Sequence, residues 1–71
     1  MSEAVRARYL ELYPRGTPIV VACEKGNLDD VKVLLTVNNK NAFGRDSRGL
    51  EYTPLMAAAR EEHFQVVQYL I

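Results

Sequence analysis

Shifted by 36 positions, the sequence overlays itself. Thr17-Pro18-Ile19 falls on Thr53-Pro54-Leu55, and Ala22 falls on Ala58. Leu28 falls on Phe64, Val31 on Val67, and Leu34-Leu35 on Leu70-Ile71. The matching positions are apolar or punctuate the chain, while the mismatches are mostly polar. Repetition at such a period marks units that cannot bury their apolar faces alone and do so by stacking. For a chain of 71 residues, that one feature excludes most folds otherwise open to it.

Each copy reads as two short helices. Thr17 and Thr53 stand where an N-cap hydroxyl accepts from an unpaired N–H of the first turn. Pro18 and Pro54 follow at the first helical position, where a missing N–H costs nothing. The first helix of copy one runs to about Lys25 and stops at Gly26, a residue that tolerates φ > 0. Asn27 caps a second helix, with Asp29 and Asp30 favoured in its first turn by the helix dipole. Leu28, Val31, Leu34 and Leu35 form one apolar stripe at helical spacing. Phe64, Val67, Leu70 and Ile71 repeat it. The small residues Ala22, Cys23, Ala57, Ala58 and Ala59 let the two first helices approach closely.

These residues resemble the ankyrin repeat, whose signature opens Thr-Pro-Leu-His-x-Ala. Copy one has Thr17-Pro18-Ile19-Val20-Val21-Ala22 and copy two has Thr53-Pro54-Leu55-Met56-Ala57-Ala58. The later pattern, Gly-His followed by Val-x-x-Leu-Leu, stands as Gly26-Asn27 with Val31 to Leu35, and as Glu62-His63 with Val67 to Ile71. The resemblance implies an all-α fold, a solenoid of stacked helix-turn-helix hairpins behind an N-terminal capping helix. The expected division is a capping helix over 1–14, repeat one over 15–37, an inter-repeat finger over 38–52, and repeat two over 53–71. In the first segment Val5, Tyr9, Leu12 and Tyr13 share helical spacing, and an amphipathic partner-binding helix is the alternative to a cap.

The sequence departs from the family at four points. Val20 and Met56 replace the signature His, removing its hydrogen bond in both copies. Glu62 replaces the Gly after the first helix, and costs about 1 kcal/mol if φ stays positive there. The spacing is 36 against roughly 33 for the family, so the segment between the repeats is longer. Lastly, Ile71 ends the chain on the expected stripe without a polar terminal repeat, which reads as the N-terminal part of a longer array.

Composition narrows the function. Nine basic and nine acidic side chains cancel, and Arg6, Arg8 and Arg15 are interrupted by Glu3 and Glu11. That reads as a solvated helix face rather than a nucleic-acid stripe. The longest apolar runs, Ile19 to Cys23 and Leu55 to Ala59, are far too short to span a membrane. The start lacks a secretory pattern, and Cys23, the lone cysteine, suits a reducing compartment. The expectation is an intracellular monomer, cytoplasmic with the nucleus as the alternative, and of marginal stability, because so short a chain buries a thin core.

Chemistry is sparse. His63 and Cys23 make one pair, and a structural zinc site needs four ligands. Gly44 and Gly49 lack the Gly-Lys-Ser/Thr ending of a phosphate loop. Asp29-Asp30 and Glu61-Glu62 are accounted for by helix ends and solvation. No catalytic, cofactor-binding or metal-binding residue is assigned. What the resemblance does imply is a protein-binding surface on the finger and first helices: Arg45, Ser47, Arg48 and Tyr52, joined by Glu24 and Lys25 from copy one and by Arg60 and Glu61 from copy two. The implied role is a protein-interaction module of a larger scaffold or regulator. Its rival is an array of purely structural spacer repeats that regulates a downstream domain, such as an enzyme.

Overall fold

The computed structural model describes residues 2–71, so residue 1 of the expected 1–14 segment lies outside the described residues. Five helices and one short hairpin follow in order: α1 (Ser2–Leu12), α2 (Pro18–Lys25), α3 (Leu28–Leu34), β1 (Gly44–Arg45), β2 (Glu51–Tyr52), α4 (Pro54–Arg60) and α5 (Phe64–Leu70). Strands β1 and β2 pair antiparallel, Gly44 opposite Tyr52 and Arg45 opposite Glu51. The two copies are the helix pairs α2–α3 and α4–α5, and the hairpin lies between them.

Helix starts and stops follow local chemistry. Pro18 and Pro54 open α2 and α4, and the Thr53 hydroxyl accepts from Met56 N at 3.2 Å. Thr17 departs from the expected pattern: it holds the N-cap position with extended backbone but makes no side-chain cap bond. Its hydroxyl accepts instead from Arg45 N at 3.0 Å. Asn27 caps α3 as expected, its side chain accepting from Asp30 N at 3.1 Å.

The turns after α2 and α4 use the same hydrogen bonds 36 residues apart. In copy one Gly26 N donates to Cys23 O and Asn27 N to Ala22 O. In copy two Glu62 N donates to Ala59 O and His63 N to Ala58 O. Both pivots are left-handed, Gly26 at φ 75° and Glu62 at φ 61°. Glu62 is the only non-glycine residue at positive φ among the described residues.

The core forms around α2. Ile19 through Cys23 are all buried, because α2 packs against α1, α3, α4 and β1. A helix enclosed on every side has no polar face to present, which explains the unbroken apolar run. Ala22, Cys23, Ala57 and Ala58 are buried and α2 packs on α4; Ala59, expected to join them, is exposed. From α1, Tyr9 is buried and Val5 and Tyr13 pack against the core. Leu12, expected on that face, is exposed.

The apolar stripe of copy two also needs correction. Val66 and Leu70 are buried, whereas Phe64 is 68% exposed and Ile71 86%. Their counterparts in copy one, Leu28 and Leu35, pack against the core. The cause is position in the stack: an inner hairpin has neighbours on two sides, an outer one on one. Val66 replaces Asp30 at the equivalent position and packs in the core. Asp30, facing α1, is buried with its Oδ2 accepting from Tyr9 Oη at 2.6 Å and from Arg8 Nη2 at 2.7 Å.

Candidate functional site

The finger is organised by Asp46, which is 1% exposed. Its Oδ1 accepts from Arg48 N and Leu50 N, each at 2.9 Å, and its Oδ2 from Arg48 Nη2 at 3.1 Å. Its backbone N donates to Leu50 O at 2.8 Å, while Gly49 N donates to Asp46 O at 3.0 Å. Gly49 adopts φ 89°, the left-handed residue that closes such a hairpin loop. Burial alone would raise the Asp46 carboxyl. The backbone N–H groups of Leu50 and Arg48 and the Arg48 guanidinium outweigh it and hold the carboxyl below its ordinary value;.

The stability from ionised Asp46 is complete above the unfolded-state value, near 4, and is lost as pH falls through the lower folded value. Asp46→Asn is therefore expected to flatten the acid limb of the unfolding midpoint below about pH 4. An acid limb of unchanged slope would assign the loss to other carboxylates.

Two attachments fix the finger to α2. Thr17 and Arg45 exchange hydrogen bonds, Thr17 N to Arg45 O at 2.9 Å and Arg45 N to Thr17 Oγ1 at 3.0 Å. Glu24 receives both Ser47 N and Ser47 Oγ, each at 2.9 Å. Downstream of the turn, the Arg60 guanidinium lies 5.5 Å from the Tyr52 ring centre and also pairs with Glu61 at 3.1 Å. Before the finger, a turn is closed by Thr36 and Asn39, whose side chains each accept from the other's N–H, and by Asn39 Nδ2 on Leu34 O.

The eight expected surface residues thus fall into three groups. Glu24, Ser47, Arg45 and Arg48 gather at the tip of the finger and its anchor. Tyr52, Arg60 and Glu61 form a second cluster at the start of copy two. Lys25 joins neither, because its Nζ sits 5.3 Å from the Tyr13 ring centre, toward α1. Glu24 and Ser47 hold each other, so the outward polar groups are chiefly Arg45, Arg48, Arg60 and Glu61. Asp46 is a turn-forming residue type, and its Asx-type spacing to Arg48 and Leu50 is the sequence signal for its part in organising the finger.

The rest of the molecule offers little chemistry. Cys23 is buried and burial pushes its thiol up to about 12, which leaves almost no thiolate at neutral pH. Among the described residues no group of three or more His, Cys, Asp or Glu side chains is arranged to hold a metal ion. No helix among them is long and apolar enough to cross a membrane.

Helix pairs repeated at fixed spacing, joined by a hairpin that docks on the first helix of a copy, are the geometry the signature residues implied. The family model for ankyrin repeats (3 copies) matches residues 4–71. The chain belongs to the ankyrin repeat family. The match takes in α1 together with both helix pairs. Ankyrin repeats are generally protein–protein interaction modules and generally not catalysts. No curated protein and no solved structure matches this ankyrin chain.

Proposed function

We propose that this ankyrin chain binds a protein partner through its finger and the adjoining ends of α2 and α4, with Arg45, Arg48, Tyr52, Arg60 and Glu61 in contact and Glu24 and Ser47 as anchors. Lys25 lies at the margin of that surface. The attachment of the finger to α2 carries this reading. Four hydrogen bonds, two from the Thr17–Arg45 exchange and two from Ser47 to Glu24, hold it. A surface ordered before binding loses less entropy on association, and Arg and Tyr are enriched among the side chains that dominate interfaces.

A second observation supports membership of a longer array in which α1 closes the N-terminal side. Leu55, Met56, Phe64 and Ile71 are exposed, whereas their counterparts under the 36-residue shift, Ile19, Val20, Leu28 and Leu35, are buried or packed against the core. Exposed apolar side chains at these repeat positions are what a further hairpin of the same kind would cover. The proposed role is part of an intracellular scaffold or regulator, cytoplasmic or nuclear, that is itself monomeric and binds protein rather than a cofactor or nucleic acid.

One comparison tests both statements. The chain is prepared with and without an appended polar-faced hairpin repeat, each as wild type and as Arg48→Ala/Tyr52→Ala. The appended repeat is expected to raise the unfolding midpoint. The double variant is expected to lose the proteins that wild type retains on a pull-down, with its helical spectrum unchanged. Identical capture ends the surface assignment, and an unchanged midpoint ends the array reading in favour of a self-sufficient pair of repeats.

A further inference from the structure

Arg15, Arg45 and Arg48 meet, with Pro14 and Gly49, around one open depression beside the hairpin turn. In a chain of zero formal net charge, this is a local concentration of one sign, and none of the residues lining it is acidic. We propose that the depression receives a carboxylate side chain from an acidic segment of the protein partner. The inference rests on the interaction reading above and adds the chemistry of what is recognised.

The three guanidinium groups are not equivalent. Arg48 is oriented by Asp46 at 3.1 Å. Arg45 Nη1 donates to Gly49 O at 2.9 Å, and its Nη2 lies 4.0 Å from Glu51. Both side chains remain more than half exposed, 57% for Arg45 and 53% for Arg48. Each therefore keeps most of its five N–H donors for another acceptor while one bond fixes its direction. Arg15 has no hydrogen bond or ion pair among the described residues. Its aliphatic stem runs along the turn, and a Cβ placed on Gly49 would sit 3.8 Å from Arg15 Cβ.

Charge selects the ligand. Two of the three cations already have a carboxylate beside them, Asp46 closely and Glu51 loosely. About one positive charge is left, that of Arg15. A single carboxylate complements it, whereas a phosphate dianion or a nucleic-acid backbone calls for a larger basic excess. The planar fork of arginine suits a carboxylate bidentately. Leu50, next in the chain to Gly49 of the depression, is an exposed apolar side chain that a flanking residue of a peptide can cover.

The test is fluorescence polarisation with a short labelled peptide that alternates Glu and Leu. Parallel probes carry Gln or phosphoserine in place of Glu, and a single-stranded RNA is the fourth. Arg15→Glu is expected to weaken the Glu peptide by about tenfold or more, since it sets like charge against like. Lys32→Glu makes the same charge change on α3, outside the depression, and is expected to cost less than about twofold. If Arg15→Glu lowers the unfolding midpoint, Arg15→Gln serves instead, with an expected loss of about threefold. Equal weakening by the Arg15 and Lys32 variants, tighter binding of the phosphoserine peptide or the RNA, or no binding of the Glu peptide would each overturn the proposal. A pull-down partner kept by the Arg15 variant but lost by Arg48→Ala/Tyr52→Ala overturns the depression alone. A partner kept by both variants overturns the interaction surface itself.

Discussion

Leu34→Ala and Leu70→Ala are each expected to cost about 2–5 kcal/mol, enough to unfold a chain of this size. The two leucines are equivalent under the 36-residue shift, and both are buried in one core, at 8% and 4% exposure. Leu34 closes α3 near Ile19 and Pro18, and Leu70 ends α5. Truncation removes the transfer free energy of the lost methyl groups and leaves a void that the short helices cannot fill without moving. A chain with so little core has no reserve against that loss. Phe64→Ala and Ile71→Ala are the internal controls, because both side chains are exposed, and each is expected to change stability by less than about 0.5 kcal/mol. Chemical denaturation of the four variants decides. Near-neutral Leu34→Ala and Leu70→Ala, or a Phe64→Ala as damaging as either, would put the buried stripe on the wrong face.

The difference between those pairs separates what was legible in the sequence from what was not. Periodicity gave the helices, and the Thr-Pro starts and Gly26 gave their ends, because these are local effects within one turn of the backbone. The two-fold copy gave the stacking. Periodicity alone did not tell an inner hairpin from an outer one. The copies share a pattern but not neighbours, so Leu28 is packed where Phe64 is exposed, and Asp30 bonds Tyr9 where Val66 packs in the core.

Side chains whose partners are distant in sequence were the least legible. Thr17 had a local role available, as an N-cap, and Arg45 displaced it from 28 residues away. Asp30 was accounted for by the helix dipole, yet its carboxylate is held by Arg8 and Tyr9, 22 and 21 residues earlier. Of the candidate surface, Arg45 and Ser47 bond to Thr17 and Glu24 at α2 and Tyr52 lies against Arg60 of α4, but the division into anchors and outward groups required the bonds themselves. Glu24 and Ser47 satisfy one another, and nothing in their residue types distinguished them from Arg45 or Arg48.

Gly26→Glu is expected to cost about 2–4 kcal/mol, and Glu62→Gly to gain at most about 1 kcal/mol, so exchanging the two residues is not symmetric. The backbone is the same at both pivots: φ is 75° and 61°, and the N–H groups of Gly26, Asn27, Glu62 and His63 reach equivalent carbonyls. The conformational part of the two changes should therefore cancel, at about 1 kcal/mol each for a side chain forced into the left-handed region. The surroundings differ. A Cβ on Gly26 would lie 2.5 Å from Nδ1 and 2.7 Å from Cγ of the His63 ring, so the imidazole of copy two rests directly on the glycine of copy one. Any side chain there must push that ring off the position it holds at the start of α5, an overpacking cost of about 1–3 kcal/mol. Glu62 faces no such ring and is exposed, so its replacement relieves backbone strain and nothing else, less the extra freedom glycine gives the unfolded chain. Gly26→Ala isolates the clash with the smallest possible Cβ. Urea unfolding of Gly26→Ala, Gly26→Glu and Glu62→Gly measures all three signs. A Glu62→Gly that destabilises would mean that its carboxylate makes a contact worth more than the strain. A Gly26→Ala no more costly than about 1 kcal/mol would mean that the His63 ring moves aside freely, and that the seam between the copies is looser than their packing implies.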